Sequence, residues 1–439
     1  DYLVIAGDTP AEIEENYMTL TGKPPMMPEY GMGFWQCKLR YWNQEQLLSV
    51  ARKYKELGVP LDVIVVDFFH WTKQGEFKFD PKYWPDVPGM CRELKEMGIQ
   101  VVVSVWPTVD IYSENFEEMK EKGYLVRTEH GVPLTMLCGG NEVFFDATNP
   151  DARTYVWEKI KKNYYDQGAK LFWLDVAEPE YSVYDFKNYR YQLGSVQEVG
   201  NIYPKYYLKA FYDGMTAEGD TMPISLIRSA WAGSAKYGAL VWSGDIVSTF
   251  ECFRRQVQAG LNMAVAGIPW WTTDIGGFCP VMRLHGNRNP QEGYGAEQIG
   301  SGSDNEIWSF SDEAYEISKK YIFLRERLRD YIRVQMKKAH EDGTPVMRPV
   351  FYDFPTDPES WNVEDAYLFG PDLYVAPVME DHVTEREVYL PAGTAWFNAW
   401  IGEKYEGGQK VMVAAPMDII PVFVKEGADA EKLLNIFSE

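Results

Sequence analysis

A chain of 439 residues with 46% apolar content can bury a large core and exceeds the usual size of one domain. Its 65 acidic residues outweigh 43 basic ones, and the net charge of −22 disfavours phosphate backbones and anionic lipid, so neither nucleic acid nor membrane is expected as a partner. Five scattered cysteines (Cys37, Cys91, Cys138, Cys252, Cys279) lack C-x-x-C spacing, which indicates neither a disulfide framework nor a zinc site and points to a cytoplasmic protein. The chain opens Asp1-Tyr-Leu-Val-Ile with no basic leader, and no apolar run approaches membrane-spanning length.

Residues 1–30 read as a short lead-in. From about residue 31 one grammar repeats: apolar run, polar loop, amphipathic helix, glycine, next run. Gly31–Trp35 is the first expected strand. Asn43 to Leu57 then reads as a helix, with Leu47, Leu48, Ala51, Tyr54 and Leu57 on one face and Gly58 as its left-handed stop. Leu61–Asp67 is apolar without alternation, as a parallel strand buried on both faces must be. Ile99–Trp106 follows Gly98, and a helix capped by Asn149 with Pro150 at its first position leads through Gly168 to Lys170–Asp175. Met222–Arg228, Ala239–Asp245, Ala266–Trp271 and Pro280–His285 bring the expected strands to eight. Eight alternations of strand and helix, with no G-x-G-x-x-G after the first strand, predict an α/β fold: a closed (β/α)8 TIM barrel over residues 31–349.

One junction breaks the pattern. About eight residues separate Trp271 from Pro280, whereas a parallel crossover needs at least ~10–12. A segment is therefore expected to be missing between Phe278 and Cys279. Further on, Asp312–Glu341 reads as a long helical region. Beyond residue 350, short alternating segments (Ala366–Phe369, Leu373–Ala376, Glu387–Gly393, Ile419–Phe423) predict a small antiparallel β-sandwich over 350–439.

Two aspartates carry the chemistry. Asp175 ends the run Leu171-Phe-Trp-Leu, and Asp245 follows Leu240-Val-Trp-Ser-Gly. In a barrel the C-terminal strand ends form one face, so two such carboxylates can meet across a bound sugar and cleave its glycosidic bond. Asp175 would be the nucleophile and Asp245 the general acid/base, which requires the higher pKa on Asp245. The bland readings are a helix cap for Asp175 and turn chemistry at Ser243-Gly244 for Asp245. Asp67, Arg228, Asp274 and His285 also fall at strand ends, either to hold the hydroxyls of one sugar ring or as a structural ion-pair network. Trp35, Trp106, Trp173, Trp242 and Trp271 lie near the same ends, as core or as sugar-binding surface.

Phe172-Trp-Leu-Asp-Val-Ala-Glu-Pro-Glu180, Arg228-Ser-Ala-Trp-Ala-Gly, Trp242-Ser-Gly-Asp245 and Trp271-Thr-Thr-Asp-Ile-Gly-Gly-Phe278, in that order, resemble glycoside hydrolase family 31. The resemblance runs from about residue 20 to the C-terminus. It implies a retaining, exo-acting α-glycosidase of α-xylosidase or α-glucosidase type, acting on an oligosaccharide or other α-glycoside. Asp175 matches the family nucleophile and Asp245 its acid/base. Asp67, Arg228, Asp274 and His285 match residues that hold the terminal sugar, and Trp106, Trp173 and Trp242 match the walls of its pocket. No metal or organic cofactor is implied, and homo-oligomerisation stays open. The family's N-terminal β-sandwich and the helical segment before the last strand are the two departures, so residues 1–30 look like the remnant of a junction. An α-galactosidase, a transglycosylase and a catalytically inactive carbohydrate-binding barrel remain the alternatives. The aromatic segment Asp67-Phe-Phe-His70-Trp71 is the expected filter between xylose and glucose, since a bulky ring there would exclude the extra hydroxymethyl group.

Overall fold

The computed structural model describes residues 2–131, 141–179, 181, 186–275, 294–295, 298–299 and 304–438. Seven short apolar segments form one parallel sheet: β1 (Trp35–Gln36), β2 (Val63–Val66), β3 (Gln100–Val105), β4 (Leu171–Leu174), β5 (Ser225–Ile227), β6 (Ala239–Trp242) and β7 (Trp271–Thr272). Each strand pairs with its successor in chain order, as in Val63↔Gln100, Val102↔Leu171 and Ser225↔Ala239. A doubly wound sheet reverses its order at a switch point; this one never does, which is how a barrel wall is laid down.

The period-2 alternation of strands sorts the side chains into two sets. Val63, Val65, Val102, Leu171, Trp173 and Trp242 pack with Cys37 in the barrel interior. Ile64, Val66, Val101, Val103, Phe172, Leu174, Ile227 and Val241 belong to the larger core shared with the surrounding helices. Asp67, Asp175 and Arg228 continue the inward parity of β2, β4 and β5 one step past each strand, so the sequence registers that fill the lumen also aim charged groups into its mouth.

Some boundaries differ from the sequence reading. Glu29–Met32 is a 3-10 turn and the first strand begins only at Trp35; Gly33 sits against the Asp62 carboxylate, where a Cβ would collide. The seventh strand starts at Trp271 and not Ala266, because Ala266 caps the preceding helix Phe250–Val265, Gly267 turns the chain at φ of +81°, and Pro269 has no N–H for the ladder. The long helical region is two helices, Asp312–Arg327 and Arg329–Asp342, divided at Leu328 with ψ of −3°. Helix Gln44–Glu56 is capped by Asn43, and Pro150–Asn163 by Asn149, as the sequence indicates. The expected strand Pro280–His285 and the Phe278–Cys279 junction lie outside the described residues.

A six-stranded antiparallel sheet follows, in the order β8 (Met347–Arg348), β9 (Tyr367–Phe369), β10 (Leu373–Val375), β15 (Val422–Lys425), β12 (Ala395–Asn398), β13 (Lys404–Glu406). A hairpin of β11 (Glu385–Leu390) and β14 (Gln409–Ala414) covers one face, with Leu368, Tyr374, Val388, Leu390, Trp396 and Phe423 buried between the layers. The other face packs Leu373, Val422 and Val424 against Leu324, Leu328, Ile332 and Met336 of the two long helices. That contact ties the sandwich to the barrel. Among the described residues no helix is long and apolar enough to cross a membrane.

Gly238, immediately before β6, has φ of +72°, and a Cβ there would stand 2.2 Å from the Pro223 carbonyl oxygen. The glycine lets β6 enter beside β5, so it sets the pairing that carries Arg228 and Asp245. Gly238→Ala combines a left-handed backbone with a backbone clash and should destabilise the protein by about 1–3 kcal/mol, read as a lowered thermal midpoint against wild type.

Candidate active site

The C-terminal ends of β2, β4, β5 and β6 deliver Asp67, Asp175, Arg228 and Asp245 to one mouth. Asp175 is 7% exposed. Its backbone N–H donates to the Val105 carbonyl of β3 at 3.1 Å, and the hydroxyl of buried Tyr207 donates to that same carbonyl at 2.9 Å. The next residue, Val176, has φ of +55°, a region that β-branched side chains rarely enter. This turn brings the Val176 N–H back onto the Asp175 Oδ1 at 2.8 Å. Asp67 is held the same way. The Phe68 N–H donates to its Oδ1 at 2.7 Å, and Phe69 takes φ of +57°.

Arg228 joins the two catalytic candidates. Its Nη1 lies 3.6 Å from the Asp175 Oδ1, its Nη2 3.9 Å from the Asp245 Oδ2, and its Nε 2.7 Å from the Glu178 Oε1. Asp245 differs from Asp175 in being open to solvent, with 42% of its side chain exposed. It follows Gly244, whose φ is +71°. The Ser243 hydroxyl, 3.0 Å from that of Thr273, and the Ser243 N–H on the Thr272 carbonyl fasten this turn to β7. Asp274, just beyond β7, is buried.

Burial pushes Asp175 up to about 7; Arg228 opposes the rise, while Asp67 and Asp245 add to it. The sequence reading expected the raised carboxyl on Asp245; desolvation raises Asp175 itself.

The aromatic segment after β2 divides its work. His70 is fully enclosed, bonded to the Asp67 carbonyl at 2.9 Å and the Tyr164 hydroxyl at 2.9 Å, and burial lowers its pKa to about 3. It is a neutral support and not a pocket wall. Phe68 instead stacks on Trp106 with centroids 5.4 Å apart and planes at 15°, and Phe69 and Trp71 close the group at 6.1 and 5.7 Å from Trp106. Trp173 and Trp242 meet edge to face at 5.1 Å, two residues below Asp175 and three below Asp245 on their strands. Both are buried at 3% and make the floor. His285 lies outside the described residues.

Sequence reasoning passed over Glu178 and Arg40. Glu178 stands in the Asp175 motif, but its partner is remote in sequence. Arg40 donates to the Phe69 carbonyl at 3.0 Å and lies over the rings of Trp42 and Phe69. Its position beyond β1 is the strand-end signal that singled out Asp67. Among the described residues no three His, Cys, Asp or Glu side chains gather closely enough to hold a metal ion.

The pattern of the glycosyl hydrolases family 31 TIM-barrel domain matches residues 24–334, and that of the family's C-terminal domain matches residues 343–428. The chain belongs to glycoside hydrolase family 31. Its fold is the family's TIM barrel with a following domain of antiparallel sheets. It is 52% identical over 314 residues to an uncharacterized family 31 glucosidase of Pseudescherichia vulneris, covering 66% of this chain and 59% of that one. An α-xylosidase of Saccharolobus solfataricus is 33% identical, over 98% of this chain and 59% of its own length. The crystal structure of a family 31 α-xylosidase from a soil metagenome, complexed with xylose, superposes with a TM-score of 0.93 at 54% identity, covering 98% of this chain and 68% of that one. The chain thus spans about 59% of the length of those two curated relatives.

The Asp175 environment has a cost in stability. The unfolded carboxyl releases its proton near 3.8 and the folded one near 7. Between those values the folded state binds the extra proton, so this contribution is favourable at low pH and is lost as pH rises through 7. Asp175→Asn removes the cost. The variant should gain thermal stability over wild type at pH 8, by up to about 4 kcal/mol at ~1.4 kcal/mol per pH unit, with the gain shrinking towards pH 4. A gain that is the same at both pH values would contradict this account.

Proposed function

We propose that this chain carries the catalytic centre of a retaining, exo-acting α-glycosidase of α-xylosidase type. The observation that carries the reading is Arg228, whose guanidinium lies within 4.0 Å of both Asp175 and Asp245. Asp175 attacks the anomeric carbon while Asp245, as the acid, gives its proton to the glycosidic oxygen, releasing the leaving group as an alcohol. Asp245 then takes a proton from water, whose oxygen displaces Asp175 and frees the sugar. Arg228 lowers the Asp175 pKa against the burial that raises it to about 7, and so favours the ionised nucleophile over the neutral carboxyl. The division of labour follows exposure. Buried Asp175 faces the anomeric carbon from within the mouth, and half-exposed Asp245 can exchange protons with solvent and meet the water that ends the intermediate.

The terminal sugar is assigned to the space between Asp67, Arg228, Asp274 and the Phe68–Trp106 stack, above the Trp173–Trp242 floor. The Trp242 indole N–H is buried without an acceptor among the described residues, so it is a donor suited to a hydroxyl. Phe68 and Trp106 favour xylose because stacked rings leave little room for a hydroxymethyl group. The 54% identical structure with bound xylose supports the same choice. Sugar-bound neighbours also support an oligosaccharide or α-glycoside as partner.

Hydrolysis of aryl α-xyloside, α-glucoside and α-galactoside, followed by NMR of the first-formed anomer, tests the reading. Asp175→Ala should abolish turnover on every substrate. Asp245→Ala should keep turning over α-xylosyl fluoride, whose leaving group needs no proton, while losing 10²–10⁴-fold on alkyl xylosides. An inverted first product would sink the mechanism. Phe68→Ala should raise the glucoside-to-xyloside ratio of kcat/KM by ten- to a hundred-fold, of the order a small apolar pocket can discriminate; an unchanged ratio would remove Phe68 as the filter.

A further inference from the structure

We infer that Glu142 is a positioning residue for sugar choice: through Gln74 it holds the loop after β2 against the segment after β3, and so fixes the aromatic wall on which Phe68 stacks. This rests on the reading of Phe68 and Trp106 as the filter.

Two segments meet behind that wall. Beyond β3, Thr108–Asp110 pairs antiparallel with Glu142–Phe144, with Asp110 opposite Glu142. Against this ladder lies the loop that carries Phe68 and Trp71. The Asp110 N–H donates to the Gln74 carbonyl at 3.1 Å, and the Asn115 carboxamide donates to the Gly75 carbonyl at 2.7 Å. Gly75 has φ of +80°, and a Cβ on it would stand 2.7 Å from the Val109 Cα, so the two backbones touch. Gln74 also borders, with Trp71 and Trp106, a gap of only about 10 Å³. Those two rings are 5.7 Å apart by centroid, and packing this close passes a shift of Gln74 on to both.

Glu142 is the group in this seam whose burial needs an account. It is 4% exposed, has no role in the bond cleavage above, and among the described residues no cation pairs with it. Its Oε2 lies 2.6 Å from the Gln74 carboxamide nitrogen, and Gln74 is itself buried. A carboxamide donates to a carboxylate or, turned over, accepts from a carboxylic acid, so the pair stays joined in either protonation state. The joint is not equally firm in both. Burial pushes Glu142 up to about 7, opposed by the Thr108 hydroxyl and reinforced by Asp110. The charged side chains of the facing loop are engaged elsewhere: Lys73 with the Tyr112 carbonyl, Glu76 with Thr72 and Lys78, and Lys78 with Glu114 as well. Above pH 7 the carboxylate therefore bears a burial cost that no cation offsets, and the seam loosens.

The test reads the glucoside-to-xyloside ratio of kcat/KM on the aryl substrates, in which titration of the shared Asp175 and Asp245 cancels. Glu142→Ala should raise this ratio about tenfold, with the change carried by KM and not by kcat. Glu142→Gln, which still pairs with Gln74, should keep the wild-type ratio. From pH 6 to pH 8 the wild-type ratio should rise about threefold or more, while that of Glu142→Gln stays flat. An unchanged ratio in Glu142→Ala would overturn the inference, as would equal pH dependence in wild type and Glu142→Gln. Phe68→Ala is read first. If it leaves the ratio unchanged, the filter reading falls and this one with it; a ratio moved by Phe68→Ala but not by Glu142→Ala overturns the positioning role alone.

Discussion

Arg228 stands among acidic groups that could not share one mouth without it. Asp175 is buried, Asp67 lies close enough to raise its pKa, and Asp245 adds to the same repulsion. In a low-dielectric cleft such a set would hold protons and lose its nucleophile. One guanidinium reaches Asp175, Glu178 and Asp245. The shortest of these contacts is to Glu178, which therefore acts as the anchor and leaves the longer-range attraction for the pair assigned to chemistry. Arginine suits the post better than lysine, because a planar fork presents separate N–H groups to separate acceptors.

The backbone is shaped to the same end. Strand parity points Asp67, Asp175 and Arg228 inward, but parity alone leaves a carboxylate free to rotate. Val176 at +55° and Phe69 at +57° turn the chain sharply after each aspartate, and each aspartate is held by the N–H of its immediate successor. Such conformations cost of order 1–3 kcal/mol each. The surrounding core over-determines them: the Val105 carbonyl, fixed by Tyr207, holds the Asp175 N–H, and Arg40 holds the Phe69 carbonyl. Stability given up at these turns is matched by carboxylates that need little reorganisation when a substrate arrives.

Where burial alone decides structure, the sequence was readable. Val63–Val66 and Leu171–Leu174 are apolar on both faces because a barrel wall is covered on both faces, and Gly58, Gly98 and Gly168 all adopt the positive φ that ends the preceding segment. Edges set by tertiary contact were not readable. The first strand yields to a turn where Gly33 meets Asp62, and the seventh waits until Pro269 has passed. The strand-end rule brought Asp175, Asp245, Asp67 and Arg228 to one mouth, because it depends only on register. It could not separate His70 from Phe68, since His70 is taken by Tyr164 at the end of another helix and Phe68 by Trp106 beyond β3.

That separation also explains how one fold can hold its chemistry constant while its substrate changes. The groups assigned to bond cleavage sit on strand ends, within a residue or three of a hydrogen-bonded ladder. The groups assigned to recognition sit further out, with Phe68, Phe69 and Trp71 on the loop after β2. A loop tolerates replacement because its backbone faces solvent and carries few ladder bonds, so a new side chain at Phe68 leaves the Arg228 contacts intact. The reverse does not hold. Moving Arg228 alters Asp175 and Asp245 together, because they share a single counter-charge, so selection for a new sugar acts on the loops and leaves the strand ends in place.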